Sequence, residues 1–414
     1  MKKILNLFKE KRLGNRSLGK IYFEHSATSQ LRSAYMVNGN PWLQLIQTLM
    51  LKIVSLLVWL LLVIMAGSSS DNNTRQRSAD STMVFQVGYR SISFADSSRT
   101  YRPGVEQSDP LYFRPIDIDL WYPAKPVVSD SILKFGYFLQ LLQDRANFYS
   151  APQKFDSLPT TVAKSFCDGF GCSQPALLLQ SPTHTFNRAK PVSQEFPLVV
   201  YFASFGSMGY ENYLLFESLA SQGYIIACVN SIGRYPGDMT MKNADLMEQV
   251  RDADQIMNRL KLDNSIDTTK IGVLGYSWGG LAGALWAMQR KGINAMVSLD
   301  GSEVHHYGNS KSEDQDFEYT ISTPFFEKST LSVPYLRLES NPEPNRSEKD
   351  STYNFLRKVK AAKQVVKIDS ARHQDFSSLA TIIRTSGKCS VPKVYYTISS
   401  YTISYFNKHL KGQE

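Results

Sequence analysis

Residues 270–289 read KIGVLGYSWGGLAGALWAMQ, and this stretch decides the fold. Its first part, 270–276, is a continuous apolar run of the kind found in strands that are buried on both faces. Its last part, 281–289, has the pattern of a helix that carries small residues on one side. The sequence Gly-Tyr-Ser-Trp-Gly lies between them at 275–279. The stretch therefore predicts a strand, a tight turn and a helix, with a serine at the turn.

The G-x-S-x-G spacing places Ser277 where a nucleophile is needed. A serine at a sharp strand-to-helix turn has a strained backbone, and glycines two residues before and after it avoid the clashes that a Cβ atom would cause. Gly275 and Gly279 occupy those two positions. The sequence therefore predicts a nucleophile elbow at Ser277, although a glycine-rich turn without chemistry has the same composition.

Short apolar runs alternate with helical patterns through residues 197–411. The alternation predicts a parallel sheet with right-handed crossovers. Two earlier segments alternate apolar and polar residues and predict an antiparallel lead-in. The expected architecture is an α/β fold with a mostly parallel central sheet, antiparallel N-terminal strands and helices on both faces. Strands are predicted at 88–94, 115–122, 197–202, 224–229, 270–276, 295–300, 334–339 and 364–369, and helices near 211–222, 241–262, 278–290, 351–362, 374–384 and 400–411.

A serine hydroxyl needs a base to take its proton, and the base needs a third group to orient it. In folds with this elbow, the acid and then the histidine follow the serine along the chain. His373 stands just after the last predicted strand, where a base would reach over the carboxyl edge of the sheet. His305 and His306 come too soon after an earlier strand, and His409 lies in the C-terminal segment. We therefore expect His373 to be the base.

Two acidic residues are candidates for the orienting group. Asp300 ends the predicted strand 295–300, so its carboxylate faces the same crevice as Ser277. Glu339 ends the next predicted strand and is the alternative. We favour Asp300, although an aspartate at a strand end also serves as a turn or helix-capping residue.

Acyl transfer also needs two fixed donors for the oxyanion, and these are usually backbone N–H groups. The amide of Trp278, directly after the nucleophile, is the first candidate. The second comes from the loop 203–207 that follows the strand 197–202, and by position it is the amide of Phe205.

The segment 124–196 interrupts the strand–helix alternation. Its first part, 131–149, has helical spacing with many large apolar residues, and its second part is rich in Pro, Ser and Gly. We interpret the segment as an insertion, either a lid over a pocket or an additional packed helix. Within it, Cys167 and Cys172 could close a small disulfide loop in an oxidising compartment. Cys228 lies in an apolar run and is expected to be a buried core residue.

The excess positive charge is concentrated at the N-terminus. The formal net charge is +9, but nine of the 46 Lys and Arg residues and only two of the 37 Asp and Glu residues precede residue 69. Residues 69–414 are therefore nearly neutral and lack the basic surface typical of proteins that bind nucleic acid.

The run 53–67 is uncharged and shorter than the roughly 20 residues of a membrane-spanning helix, and it has the features of a signal-peptide core. We predict a targeting segment (1–68), a polar linker (69–84) and a hydrolase domain (85–414) that is exported to the periplasm, the cell surface or the medium. An uncleaved membrane anchor at 53–67 is the alternative.

Several stretches together resemble the platelet-activating-factor acetylhydrolase and predicted dienelactone hydrolase group of the α/β-hydrolase fold. They are IGVLGYSWGG (271–280), SLDG (298–301), HQDF (373–376) and the lead-in that ends in Trp-Tyr-Pro at 121–123. The resemblance spans roughly residues 85–410 and is weak through 124–196 and 302–332. It implies an acid after the strand that follows the nucleophile, which supports Asp300 over Glu339. The group usually has His-Gly in its oxyanion loop, where this chain has Ala203-Ser204.

These expectations converge on an exported serine hydrolase that cleaves carboxylic esters of a small molecule or lipid through an acyl-serine intermediate. No metal, organic cofactor or nucleic-acid partner is implied. Two other interpretations remain open. The chain could be a peptidase that uses the same three residues, or a non-catalytic surface or binding protein that has kept the scaffold.

Overall fold

A computed structural model describes residues 85–170, 172–233, 239–308, 310–341, 351–385 and 393–413. The expected targeting segment (1–68), its apolar run (53–67) and the linker (69–84) lie outside the described residues. Within the described ranges, no helix is both long enough and apolar enough to cross a membrane.

Ten strands of the described part form one sheet, in the order β10-β9-β8-β7-β5-β6-β2-β1-β4-β3. From β10 to β6 all neighbouring strands are parallel, whereas β1 pairs antiparallel with β2 and β2 pairs antiparallel with β6. The mostly parallel sheet with antiparallel N-terminal strands is therefore confirmed. The strands are β1 Gln86–Thr100, β2 Phe113–Ala124, β3 Ile132–Lys134, β4 Pro182–Asn187, β5 Phe196–Phe202, β6 Ile225–Val229, β7 Ile266–Tyr276, β8 Ile293–Leu299, β9 Tyr335–Glu339 and β10 Lys363–Lys367.

The strand order reverses at β5, which has β6 on one side and β7 on the other. In open parallel sheets such a reversal leaves a crevice at the carboxyl ends of the strands, and ligands bind there. Ser277 follows β7 and Asp300 follows β8, so both lie at this edge of the sheet.

Helices cover both faces of the sheet. Alternate residues of β5 point to opposite sides, so that Val199 and Tyr201 join one core cluster and Leu198, Val200 and Phe202 join the other. The first cluster also includes residues of α1, α2, α4, α9 and α10, and the second includes residues of α5–α8. The helices are α1 Phe135–Tyr149, α2 Leu158–Phe170, α3 Pro175–Gln180, α4 Tyr213–Ser221, α5 Asn243–Leu260, α6 Trp278–Gln289, α7 Lys311–Ile321, α8 Pro324–Lys328, α9 Ser378–Thr385 and α10 Lys393–Lys411.

The segment 124–196 contains β3, β4 and the helices α1–α3. Near the C-terminal end of α1, the buried Arg145 guanidinium lies 2.8 Å from an oxygen of Asp119 and 3.3 Å from an oxygen of Asp117, both on β2. These ion pairs fix α1 to the sheet. The segment also contains a disulfide between Cys167 and Cys172. Outside it, Cys228 is a free and fully buried core residue.

The prediction of a helix near 351–362 is wrong. This stretch contains only a short 3-10 helix, Phe355–Arg357. Its backbone instead pairs with Leu331, whose amide donates to Lys358 O at 2.9 Å and whose carbonyl accepts from the Lys360 amide at 2.9 Å. Of the apolar residues in this stretch, Phe355 and Val359 are buried, but hydrogen bonds to the loop at Leu331 rather than helical hydrogen bonds satisfy the backbone.

Candidate active site

The elbow at Ser277 has the strained geometry that the motif predicts. Its φ is +54° and its ψ is −122°, at the junction of β7 and α6. A Cβ atom at Gly275 would overlap the carbonyl oxygen of Gly279, and one at Gly279 would overlap the carbonyl oxygen of Phe202. Glycine is therefore required at both positions because the backbone of β7, α6 and β5 approaches too closely for any side chain.

His373 lies within hydrogen-bonding distance of both predicted partners. Its Nε2 is 2.9 Å from Ser277 Oγ, and its Nδ1 is 2.7 Å from Asp300 Oδ2. The residue opens a 3-10 helix, His373–Phe376, after β10. Its ring stacks on Tyr276, with centroids 5.3 Å apart, and the Tyr276 hydroxyl donates to the His373 carbonyl at 3.1 Å. The imidazole is thus held from its face as well as from both nitrogens, while 46% of the side chain stays exposed to an incoming substrate.

Asp300 is held in place from several sides. Its φ is +46°, and its carboxylate accepts from the amide and the hydroxyl of Ser340, each at 2.9 Å. Burial on its own raises the pKa of Asp300, but the His373 hydrogen bond and charge, the Arg337 charge and the Ser340 amide outweigh it. The net effect lowers the pKa to about 2. The carboxylate is therefore ionised throughout the neutral range and can accept a hydrogen bond from a protonated Nδ1 of His373.

The other candidates from the sequence have different partners. Glu339, the alternative acid, accepts from Arg337 Nε at 3.1 Å. The ring of His305 lies 2.7 Å from an Asp314 oxygen, and that of His306 lies 3.0 Å from the Thr352 hydroxyl. His409 packs on Tyr405. The structure therefore brings together Ser277, His373 and Asp300 and places these four residues elsewhere.

The loop after β5 lies beside the elbow. Phe202 at the end of β5 is in register with Gly275 at the end of β7, and the Phe205 ring packs edge-on against Trp278 at 6.0 Å. The turn from residue 204 to 207 is closed by a hydrogen bond of 3.0 Å from the Ser207 amide to the Ser204 carbonyl. Trp278 is the first residue of α6, so its amide lies at the positive end of that helix.

Sequence reasoning missed two buried polar residues under this loop. Glu211 is 2% exposed and accepts from the Ser204 amide at 2.8 Å, from the Ser204 hydroxyl and from the Tyr201 hydroxyl at 2.6 Å. Gln249, on α5, is 1% exposed, and its Nε2 donates to the Ala203 carbonyl at 3.0 Å. Neither residue has a sequence motif, and only the charge of Glu211 so close to a buried strand could have marked it.

Arg337 was also missed. Its guanidinium is buried and lies 3.1 Å from Glu303, 3.1 Å from Glu339 and 3.8 Å from Asp300. It also donates to the Gly301 carbonyl at 2.9 Å. Arg337 therefore places a positive charge behind the acid and anchors the loop that carries it. The described residues contain no group of three or more His, Cys, Asp or Glu side chains arranged to hold a metal ion.

The chain is similar to known hydrolases. A family model described as X-Pro dipeptidyl-peptidase (S15 family) matches residues 171–369, less than half of the chain. This span includes Ser277 and Asp300 and ends before His373. No curated protein matches the chain.

Among solved structures, a ferulic acid esterase from Streptomyces cinnamoneus is 19% identical. The match has a TM-score of 0.52 and covers 80% of this chain and 92% of that one. The structure of DcsB in complex with its substrate analogue is 13% identical, with a TM-score of 0.36 over 53% of this chain and 92% of that one, which is too weak to bear on the fold. The chain thus has the α/β-hydrolase fold, and it carries the hydrogen-bonded Ser–His–Asp arrangement of a serine hydrolase.

Proposed function

We propose that this protein is an exported serine hydrolase that cleaves carboxylic esters through an acyl-Ser277 intermediate. The observation that carries the proposal is the position of the His373 ring, which lies 2.9 Å from Ser277 Oγ and 2.7 Å from Asp300 Oδ2. A hydroxyl, an imidazole and an ionised carboxylate in this order form a proton relay.

In the first half of the reaction, Ser277 Oγ attacks the ester carbonyl carbon and gives its proton to His373 Nε2. Asp300 accepts the hydrogen bond from Nδ1–H, so it fixes the tautomer in which Nε2 is free to take the proton. The carbonyl oxygen becomes an oxyanion, which the amides of Trp278 and Phe205 stabilise. The intermediate collapses, the leaving alkoxide takes the proton from Nε2, and the acyl group stays on Ser277.

In the second half, water enters where the alcohol left. His373 takes one proton from this water, and the resulting hydroxide attacks the acyl carbon. When this second tetrahedral intermediate collapses, Ser277 Oγ regains its proton from Nε2 and the carboxylic acid is released. The exposed outer side of the imidazole gives both the leaving group and the water access to Nε2.

A peptidase that uses the same three residues is the second candidate. The match of residues 171–369 to the X-Pro dipeptidyl-peptidase model favours it. The resemblance of the elbow, the acid strand and the histidine loop to acetylhydrolases favours esters. The two candidates differ in the leaving group, because an amide expels an amine that must be protonated, whereas an activated ester expels a stable phenolate.

The test compares wild type with Ser277→Ala and with Ser218→Ala, a control serine on α4 whose hydroxyl donates to the Leu214 carbonyl at 2.9 Å. We expect p-nitrophenyl acetate or butyrate to be hydrolysed, with kcat falling on the order of 10⁶-fold in Ser277→Ala and unchanged in Ser218→Ala. A fluorophosphonate probe should label wild type and Ser218→Ala only.

Turnover of Gly-Pro-p-nitroanilide without turnover of the esters would support the peptidase instead. A folded wild type that hydrolyses neither class and is not labelled would indicate a binding protein on a hydrolase scaffold.

Export is supported by the apolar run 53–67 in the sequence and by the Cys167–Cys172 disulfide, since disulfides persist in oxidising compartments. Expression in a host with an intact secretion pathway, followed by N-terminal sequencing, tests this part. We expect a mature N-terminus near residue 67. An intact N-terminus in the membrane fraction would favour the anchor, and an intact one in the cytoplasm would contradict export.

A further inference from the structure

One peptide bond of the loop after β5 is held at both ends by buried side chains. The carbonyl oxygen of Ala203 accepts from Gln249 Nε2 at 3.0 Å, and the amide of Ser204 donates to Glu211 Oε1 at 2.8 Å. These two atoms belong to the same planar unit, because the Ala203–Ser204 peptide joins them. Gln249 comes from α5 and Glu211 from the 3-10 helix Gly209–Asn212, so the unit is fixed between two separate elements.

The fixed peptide determines where the next one points. Ser204 is the first residue of a tight turn that the Ser207 amide closes, and Gly206 has a φ of +67° in its third position. A positive φ in the third position is typical of a type II turn. The Phe205 N–H shares a planar peptide unit with the Ser204 carbonyl, which accepts from the Ser207 amide, so this bond and the fixed Ala203–Ser204 peptide before it together orient the Phe205 N–H.

Glu211 is attached to the histidine loop as well. Its backbone carbonyl accepts from the Ser377 hydroxyl at 2.8 Å, and the Asn212 side chain accepts from the Ser378 amide at 3.2 Å. The same short helix therefore braces the loop next to Ser277 and the chain just after His373. A change in the Glu211 side chain removes the attachment to Ser204 and leaves the backbone attachment to Ser377 in place.

We propose that Glu211 and Gln249 are positioning residues of the oxyanion hole, which fix the Ala203–Ser204 peptide so that the Phe205 amide points at the tetrahedral intermediate. The inference rests on the proposed function. It also explains how a loop with Ala203-Ser204 keeps a defined shape, since the serine supplies both an amide and a hydroxyl to the Glu211 carboxylate.

The main experiment replaces Glu211 in the full-length protein and measures kcat and KM on p-nitrophenyl butyrate, per active site titrated by the acylation burst. Loss of an oxyanion donor costs about 10²–10³-fold in kcat, so a misdirected donor in Glu211→Ala should cost about 10–100-fold with little change in KM. Glu211→Gln keeps an acceptor for the Ser204 amide and should stay within about threefold of wild type.

A trifluoromethyl ketone separates positioning from a merely structural role. Its adduct with the serine carries an oxyanion, so its inhibition constant should rise in Glu211→Ala by about the same factor as kcat/KM falls. The control is Glu217→Ala. Glu217 is equally buried, at 2% exposed, and accepts from the Thr185 hydroxyl at 2.5 Å and the His184 amide at 2.7 Å. These partners are on β4, five strands from β7 and so roughly 24 Å away. Glu217→Ala should lower the melting temperature but leave kcat per active site unchanged.

Gln249→Leu provides a second route if Glu211→Ala does not fold. Among the described residues Gln249 Oε1 has no hydrogen-bond partner, so leucine removes one buried unsatisfied atom while it removes the bonds from Nε2 to the Ala203 carbonyl and, at 3.3 Å, to the Val229 carbonyl. The variant should show the same fall in kcat at constant KM.

Unchanged kcat and unchanged ketone affinity in either folded variant would overturn the inference while leaving the hydrolase assignment intact. A wild type without esterase activity or serine labelling would overturn the proposed function and this inference with it.

Discussion

At the scale of single residues, the convergence of Ser277, Asp300 and His373 could be predicted because each follows the end of a strand. Ser277 follows β7, Asp300 follows β8 and His373 follows β10 by a short loop. Parallel strands end at one edge of a sheet, so position along the chain is enough to place such residues together. Glu211 and Gln249 lie inside helical segments and have no such marker. Their function depends on which loop lies above them, which only the folded chain shows.

Asp300→Asn tests the role of the acid through the dependence of stability on pH. The pKa of Asp300 is about 2 in the folded protein and about 3.9 in an unfolded chain. The ionised form therefore stabilises the fold above about pH 4, by about 3 kcal/mol, and this contribution disappears as the pH falls through 2. The difference in the free energy of unfolding between wild type and Asp300→Asn should be constant above pH 4 and shrink below it. Urea unfolding from pH 2 to pH 7 measures it.

The same variant should reduce kcat at neutral pH by about 10⁴-fold, because the asparagine amide stabilises the wrong tautomer of His373. Glu339→Gln is the control, since Glu339 contacts Arg337 rather than the imidazole. A fall in kcat for Glu339→Gln as large as that for Asp300→Asn would show that the orienting acid has been misassigned.

At the scale of elements, strands buried on both faces were predictable and irregular segments were not. The six strands predicted between residues 197 and 369 all exist. Five of them are largely buried apolar runs, which have few alternatives, whereas β10 is an exposed strand at the edge of the sheet. β3 and β4 were missed, as they are short and lie at the sheet edge where polar residues are tolerated. The stretch 351–362 has helical spacing, yet its backbone bonds to a neighbouring loop. The spacing of apolar residues indicates which side chains are buried, but it does not indicate which groups form hydrogen bonds with the backbone.

Arg145→Met tests how firmly α1 is attached to the sheet. The guanidinium is buried between Asp117 and Asp119, so its loss leaves two buried carboxylates without their cation. Removing one partner of a buried ion pair typically costs about 3–5 kcal/mol, which should appear as a lower free energy of unfolding. Lys164→Ala is the control, because its pair with Asp168 on α2 is exposed and is worth at most about 0.5 kcal/mol. Equal effects of the two variants would mean that the ion pairs do not hold α1.

At the scale of the whole molecule, the site lies where the two cores meet at the edge of the sheet. Tyr276, beneath His373, belongs to the core with α10, and Trp278 belongs to the core with α5. Both cores are needed to fix the elbow, and residues far from Ser277 therefore contribute to stability without taking part in chemistry. α10 approaches β7 so closely at Gly272 that a Cβ atom there would lie 2.7 Å from the Phe406 ring.

Phe406→Ala separates stability from activity at this scale. The ring is fully buried, so its removal should lower the free energy of unfolding by about 3–5 kcal/mol. The kcat per titrated active site, measured well below the melting temperature, should not change. Tyr401→Ala on the same helix is the control, since that side chain is 41% exposed and should cost about 0.5 kcal/mol or less. A selective fall in kcat for Phe406→Ala would show that α10 acts on the elbow itself.

The attachment of Ser377 to Glu211 has a consequence for synthesis on the ribosome. The two residues are 166 positions apart, so at translation rates of about 5–20 residues per second the second emerges roughly 10–30 s after the first. Ser277 precedes His373 by 96 positions, so for the later part of this interval the growing chain has its serine but neither its imidazole nor the Ser377 brace. In the proposed mechanism, a partly made polypeptide therefore cannot form an acyl-serine, and reactivity begins only after His373 and Ser377 have left the tunnel.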